Sequence, residues 1–163
     1  MSRSNLSLLH AGPHYGYEVY TDKAWEKDDQ ILICEGEIAP TIITPRVSSL
    51  RITEHFSLEF VNCAGFEYHL NHSCEPNCYW DFGTGIPILT ALENIPKNDE
   101  LCYNYNTIEW DMSENLRSFP CHCYTDSCIG WIQGFRYLTS RQKEHIKDML
   151  SPYIRMKYQL VPN

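Results

Sequence analysis

Nowhere in this chain of 163 residues do apolar side chains run for the about 20 positions that a bilayer crossing needs. The N-terminal stretch MSRSNLSLLHAGPHYG has no apolar h-region followed by a small-residue cleavage site, so no secretory signal is expected. Positive charge is in short supply: 13 Lys and Arg face 21 Asp and Glu, a formal net charge of −8. That balance is the reverse of the basic footprint of a nucleic-acid binder, so no direct nucleic-acid contact is expected. Internal repeats, low-complexity tracts and linkers are absent, and one domain follows. No C-x-x-C follows a strand in a βαβ pattern, which removes a thiol redox protein. What remains is an intracellular chain, nuclear or cytoplasmic and away from membranes. Its acidic surface suits basic, Lys/Arg-rich partners, although net charge also simply keeps a protein soluble.

What the chain does have is a core and cysteine. Hydrophobic residues make up 43% and aromatic residues 13%, the composition of a folded interior. Strand-like runs separated by Gly, Pro, Asn and Asp fill the first two-thirds: Gly16–Thr21, Ile31–Ile38, Phe56–Val61, Ile88–Leu92 and Leu101–Asn106. One helix is expected near the C-terminus, capped by Thr139 with Gln142 three residues on. It carries an apolar stripe of Ile146, Met149 and Leu150 and stops at Pro152.

In a reducing compartment the 8 cysteines point to metal binding or plain burial, not to disulfides. Cys121, Cys123 and Cys128 form C-x-C-x4-C in a segment too polar for a core, with Pro120, His122 and Asp126 around them. Three thiolates at this spacing can wrap Zn²⁺, and a closed structural site requires a fourth ligand. Cys34, Cys63, Cys74, Cys78 and Cys102 are available. Cys34 and Cys102 lie in strand-like runs, where a free cysteine acts as a small hydrophobe. Cys74, in a loop two residues before Pro76, is the better donor.

That loop is HLNHSCEPNC, His69 to Cys78, dense in groups that bind metal, hydrogen-bond a ligand or turn the backbone. Asn71-His72-Ser73 also fits a glycosylation sequon, as does Asn5-Leu6-Ser7, but without a secretion signal neither reading has support.

In order, Asn71-His72-Ser73-Cys74-Glu75-Pro76-Asn77, Asp99-Glu100-Leu101-Cys102-Tyr103-Asn104-Tyr105 and Cys121-x-Cys123-x4-Cys128 resemble a SET-domain protein lysine methyltransferase with a post-SET zinc motif. The first is similar to NHSCxPN and the second to EELxYDY. Gly16-Tyr17-Glu18-Val19 resembles GxGV, and Glu35-Gly36-Glu37 the strand ending in xGE. The resemblance implies a mostly β fold (a β-clip SET fold with a pseudoknot, short helices and one C-terminal helix). It implies an N-terminal extension over 1–15, a SET domain over 16–110, a post-SET zinc segment over 111–132 and a helical tail over 133–163.

It further implies S-adenosylmethionine on one face and a lysine-bearing protein or peptide on the other, such as a histone or histone-like tail. Asn71 and His72 would hold the cofactor, with Gly16, Tyr17, Glu18, Tyr68 and Tyr105 around it. Tyr105 matches the catalytic tyrosine. Tyr103 matches a position where tyrosine, not phenylalanine, goes with mono- or dimethylation. Cys74, Cys121, Cys123 and Cys128 match the zinc ligands. Trp110 is a further candidate channel wall.

This chain departs from the pattern at Glu18 in place of glycine, Cys34 in place of tyrosine, Tyr68-His69 in place of Arg-Phe, and Asn104 in place of aspartate. The alternative these departures leave is a zinc-stabilised module that binds peptides without turnover.

Overall fold

The computed structural model describes residues 3–12, 16–34, 36–40, 49–60, 65–113 and 118–160. Glu35, Val61 and Cys63 lie outside the described residues. Twelve short strands are described: β1 (Leu6–Gly12), β2 (Gly16–Thr21), β3 (Gln30–Ile33), β4 (Gly36–Pro40), β5 (Ser49–Arg51), β6 (Phe56–Phe60), β7 (Asn71–His72), β8 (Cys78–Asp81), β9 (Ile88–Ala91), β10 (Cys102–Tyr103), β11 (Phe119–Pro120) and β12 (Trp131–Ile132). The helices are α1 (Phe66–His69), α2 (Ser140–Ile146) and α3 (Pro152–Leu160). No described helix is long and apolar enough to cross a membrane.

The strands form several small sheets. β3, β9 and β8 make one, with β9 central, and β4, β6 and β5 make another, with β6 central. β1 pairs antiparallel with β2, so Leu6–Gly12 is part of the β structure. β7 and β10 pair in parallel, Asn71 with Cys102 and His72 with Tyr103. This places the NHSC segment against the segment of the candidate tyrosines.

Local chemistry explains these elements. All four residues of β9 are buried because the strand is flanked on both edges and covered on both faces. The expected run Ile31–Ile38 divides between two sheets. Cys34 N–H donates to the carbonyl of Pro87 at 2.9 Å, and Pro87 has no N–H to return, so the ladder ends there. The expected strand Leu101–Asn106 is extended only at Cys102–Tyr103. The Asn104 side chain accepts from Asn106 N–H at 3.0 Å, and this local bond bends Tyr105–Thr107 into a 3₁₀ turn.

At the C-terminus, Thr139 and Gln142 form the expected capping box on α2. The helix then tightens to a 3₁₀ turn over Lys147–Met149. Pro152 opens α3 and does not end the helical tail: it takes the first helical position, where its missing N–H costs nothing. Ser151 Oγ accepts from Ile154 N–H at 3.3 Å as that helix's cap.

Two apolar clusters organise the interior. The larger includes Val19, Ile31, Trp80, Leu89, Leu101 and Tyr103. The smaller is built on Phe135, Ile146, Tyr153 and Ile154, with Trp110 packed against it. Trp110 stacks on Phe135 at 5.9 Å, so it serves this tail core and is no wall of the candidate channel.

Candidate functional site

The sulfur atoms of Cys74, Cys121, Cys123 and Cys128 all lie within 4.8 Å of one another. Cys74 Sγ is 3.7 Å from Cys121 Sγ, which is 3.4 Å from Cys123 Sγ. Four thiolates about 2.3 Å from a tetrahedral Zn²⁺ would be about 3.8 Å apart, so the donor set fits the ion in type, number and spacing.

Two features bring the segments together. The β11–β12 pairing brackets the cysteine loop, and Cys121 N–H donates to the Gly130 carbonyl at 3.0 Å. Across the gap, the Glu75 carboxylate accepts from the Ser127 hydroxyl at 2.7 Å and its N–H at 3.1 Å. Burial pushes the Cys74 thiol up to about 11, a shift that a bound dication would reverse.

Beside this cluster lies a cavity of about 770 Å³, lined among others by Glu18, Asn71, His72, Glu100, Tyr105 and Phe119. That volume suits a nucleoside-sized ligand. Asn71 Nδ2 donates to Glu100 Oε1 at 2.8 Å. Asn77 ties the same strand down twice, donating to the Glu100 carbonyl at 2.8 Å and accepting from Cys102 N–H at 2.9 Å. The Tyr105 hydroxyl donates to the Leu70 carbonyl at 2.7 Å, and its ring lies 4.9 Å from that of Tyr103 and 6.2 Å from that of Phe119. Tyr103 is buried behind Tyr105, with Trp80 on its other side.

The electrostatics favour a cationic occupant. Burial raises the Glu100 carboxyl, the Asn71 hydrogen bond offsets part of that, and nearby Glu18 raises it further. Glu18 itself accepts from the Tyr20 hydroxyl at 3.0 Å. Burial lowers His72 to about 4, which leaves its imidazole neutral at pH 7. Burial also holds the Tyr103 and Tyr105 hydroxyls protonated.

Of the residues expected at a cofactor site, Glu18, Asn71, His72 and Tyr105 line the cavity; Gly16, Tyr17 and Tyr68 do not. Tyr17 precedes Glu18 on β2, and the period of two turns its ring the other way. There it packs edge-on between His10 at 5.2 Å and His69 at 5.1 Å, and Tyr68 packs on His69 at 5.1 Å. Glu100, Phe119 and His122 line the cavity without any role expected from the sequence. The bridge between Tyr20 and Glu100, the Asn71 and Asn77 hydrogen bonds to Glu100 and the β11–β12 pairing of Phe119 carry the first two there, and His122 follows on the cysteine loop.

The chain belongs to the SET-domain family, whose model matches residues 16–106, more than half of its length. It is 26% identical over 132 residues to Histone-lysine N-methyltransferase 2D of Homo sapiens, covering 72% of this chain and 2% of that one. It is 29% identical over 89 residues to Methyltransferase flvH of Aspergillus flavus, covering 51% of this chain and 48% of that protein. It is 31% identical over 87 residues to Histone-lysine N-methyltransferase, H3 lysine-4 specific, of Aspergillus oryzae, covering 50% and 7%. The chain thus spans from a fiftieth to about half of the length of these relatives. Its fold is similar to that of KRYPTONITE in complex with mCHG DNA and SAH, with a TM-score of 0.64 and 20% identity over 78% of this chain and 28% of that one.

Proposed function

We propose that this chain is an S-adenosylmethionine-dependent protein-lysine N-methyltransferase acting on a basic, histone or histone-like tail without direct nucleic-acid contact, and yielding mainly mono- or dimethyl-lysine. The observation that carries the reading is the meeting of Asn71, His72, Glu100 and Tyr105 on one cavity beside four convergent cysteines. Membership of the SET family and the names of the relatives support it. So does KRYPTONITE in complex with mCHH DNA, an H3(1-15) peptide and SAH, although that structure holds DNA as well.

The cofactor supplies an electrophilic methyl group on a positively charged sulfur. The chain's own residues do the rest. Glu18, Asn71 and Glu100 bind and orient that cation, and His72 forms part of the wall around it. The Tyr105 hydroxyl, fixed on the Leu70 carbonyl, orients the incoming amine, and the Tyr105 ring, backed by Tyr103, walls it from water. A free lysine has a pKa of about 10.4, and a dry aromatic wall disfavours its ammonium, which helps release the proton. Alignment is the remaining contribution, and it can be worth about 7–11 kcal/mol in model reactions. Tyr103 limits the product by filling space that additional methyl groups would need.

In this reading residues 16–110 carry the transfer, 111–132 form the post-SET zinc segment, and 133–163 a helical tail, in a protein that acts in the nucleus or cytoplasm. Transfer of labelled methyl groups to a lysine-peptide array, with Tyr105→Phe as control, tests it. Glu18 on the cavity favours one rival, a peptide-binding module without turnover. A thermal-shift titration separates them, because only the enzyme gains stability with S-adenosylmethionine.

A further inference from the structure

His72 lines the cavity, but its ring nitrogens are both engaged elsewhere. Nδ1 accepts the backbone N–H of Tyr105 at 3.0 Å, so the ring proton sits on Nε2. Nε2 lies 3.3 Å from the sulfur of Cys74, which places that N–H on the sulfur. The same sulfur accepts the N–H of Ile129 at 3.4 Å from the cysteine loop. A metal-bound thiolate is stabilised by such donors, and the donors in turn are fixed by the thiolate. Tyr105 is meanwhile held at both ends by the residues flanking Asn71: its hydroxyl by Leu70 and its amide by His72.

We propose that His72 is a positioning residue that couples the four-cysteine cluster to Tyr105, its imidazole serving as a rigid spacer between the Cys74 thiolate and the Tyr105 backbone. The consequence is reciprocal. The cluster holds the ring in the orientation that receives Tyr105, and the Tyr105 amide holds the tautomer that donates to Cys74. The proposal rests on the zinc fit and on Tyr105 as the orienting residue.

Two substitutions separate the two nitrogens. In His72→Asn the shorter carboxamide can still accept from Tyr105 N–H but cannot reach Cys74. In His72→Gln the longer one can donate to Cys74 and leaves the Tyr105 amide without its acceptor. Zinc release to a chromophoric chelator is measured on the zinc-loaded full chain, with circular dichroism confirming that each variant is folded. Loss of a supporting bond of this kind costs about 10–100-fold in metal affinity, so His72→Asn should release zinc faster by that order, and His72→Gln should stay near the unchanged chain. In methyl transfer, His72→Gln should lose more kcat than His72→Asn, with the cofactor KM moving alike in both.

Equal zinc release by the unchanged chain and both variants would overturn the coupling. So would equal losses in both variants on both readouts, which is what a merely packed ring would give. The zinc arm does not depend on turnover. If the unchanged chain transferred no methyl groups, the function reading would fail while the zinc comparison still decided this proposal.

Discussion

Tyr105 and His72 are joined twice: the Tyr105 amide donates to His72 Nδ1 at 3.0 Å, and the two rings meet edge to face with centroids 5.3 Å apart. Both residues line the cavity, and the one that would orient the amine is therefore fixed on the other. Tyr105→Phe keeps this ring contact and removes only the hydroxyl bonded to the Leu70 carbonyl. Loss of alignment alone should lower kcat by about 10²-fold. The S-adenosylmethionine affinity, measured by calorimetry, should change little, and a large affinity loss with kcat intact would put Tyr105 in the wrong role.

Tyr103 is buried between Trp80 and Tyr105, so removing its hydroxyl frees volume behind Tyr105 without exposing the ring. Tyr103→Phe should shift the product toward higher methylation. Intact-mass analysis of one methylated peptide reads this directly. An unchanged mass distribution, or trimethylation already dominant in the unchanged chain, would count against Tyr103 as the limit.

Glu18 stands where the family pattern has glycine, and it faces the same cavity as Glu100. It is partly solvated, so its attraction for a cation is screened and worth about 0.2–1 kcal/mol. Glu18→Gln should weaken S-adenosylmethionine binding by about 1.4–5-fold, less at high salt, while adenosine binds as before. Equal weakening of both ligands would mean that Glu18 acts through shape and not charge.

Gly134 ties the tail to the turn that follows Tyr105. Its φ is +104°, an added Cβ would lie 2.6 Å from the Trp110 carbonyl oxygen, and its N–H donates to Asn106 at 3.1 Å. Gly134→Ala should cost about 1–3 kcal/mol or more in a urea melt. A variant as stable as the unchanged chain would show that this turn bears no strain.

Zinc removal should lower the melting temperature by on the order of 10 °C, because a structural site contributes folding free energy. Cys128→Ser should do the same without chelator. A chelator that leaves the melt unmoved would dismiss the four-cysteine assignment.

Much of this was legible in the chain. Cys121, Cys123 and Cys128 need a fourth thiolate, and Cys74 was identifiable by its loop; the structure brings all four sulfurs together. β2 and the Thr139 capping box followed from local pattern alone. Part of what escaped was set by partners distant in sequence, and part by a local side-chain bond. The break after β3 comes from the missing N–H of Pro87, and the bend after Tyr103 from the side chain of Asn104. Tyr17 lies off the cavity because of strand parity, which a motif match does not encode. The coupling through His72 needed both nitrogens located in space, since nothing in Asn-His-Ser-Cys says which atom faces which neighbour.

The most direct measurement is methyl transfer from labelled S-adenosylmethionine to a lysine-peptide array by the zinc-loaded chain, beside Tyr105→Phe. The account predicts labelling of basic lysine peptides by the unchanged chain and a loss of about two orders of magnitude in the variant. Absence of labelling on every peptide, or equal labelling by both proteins, would contradict it.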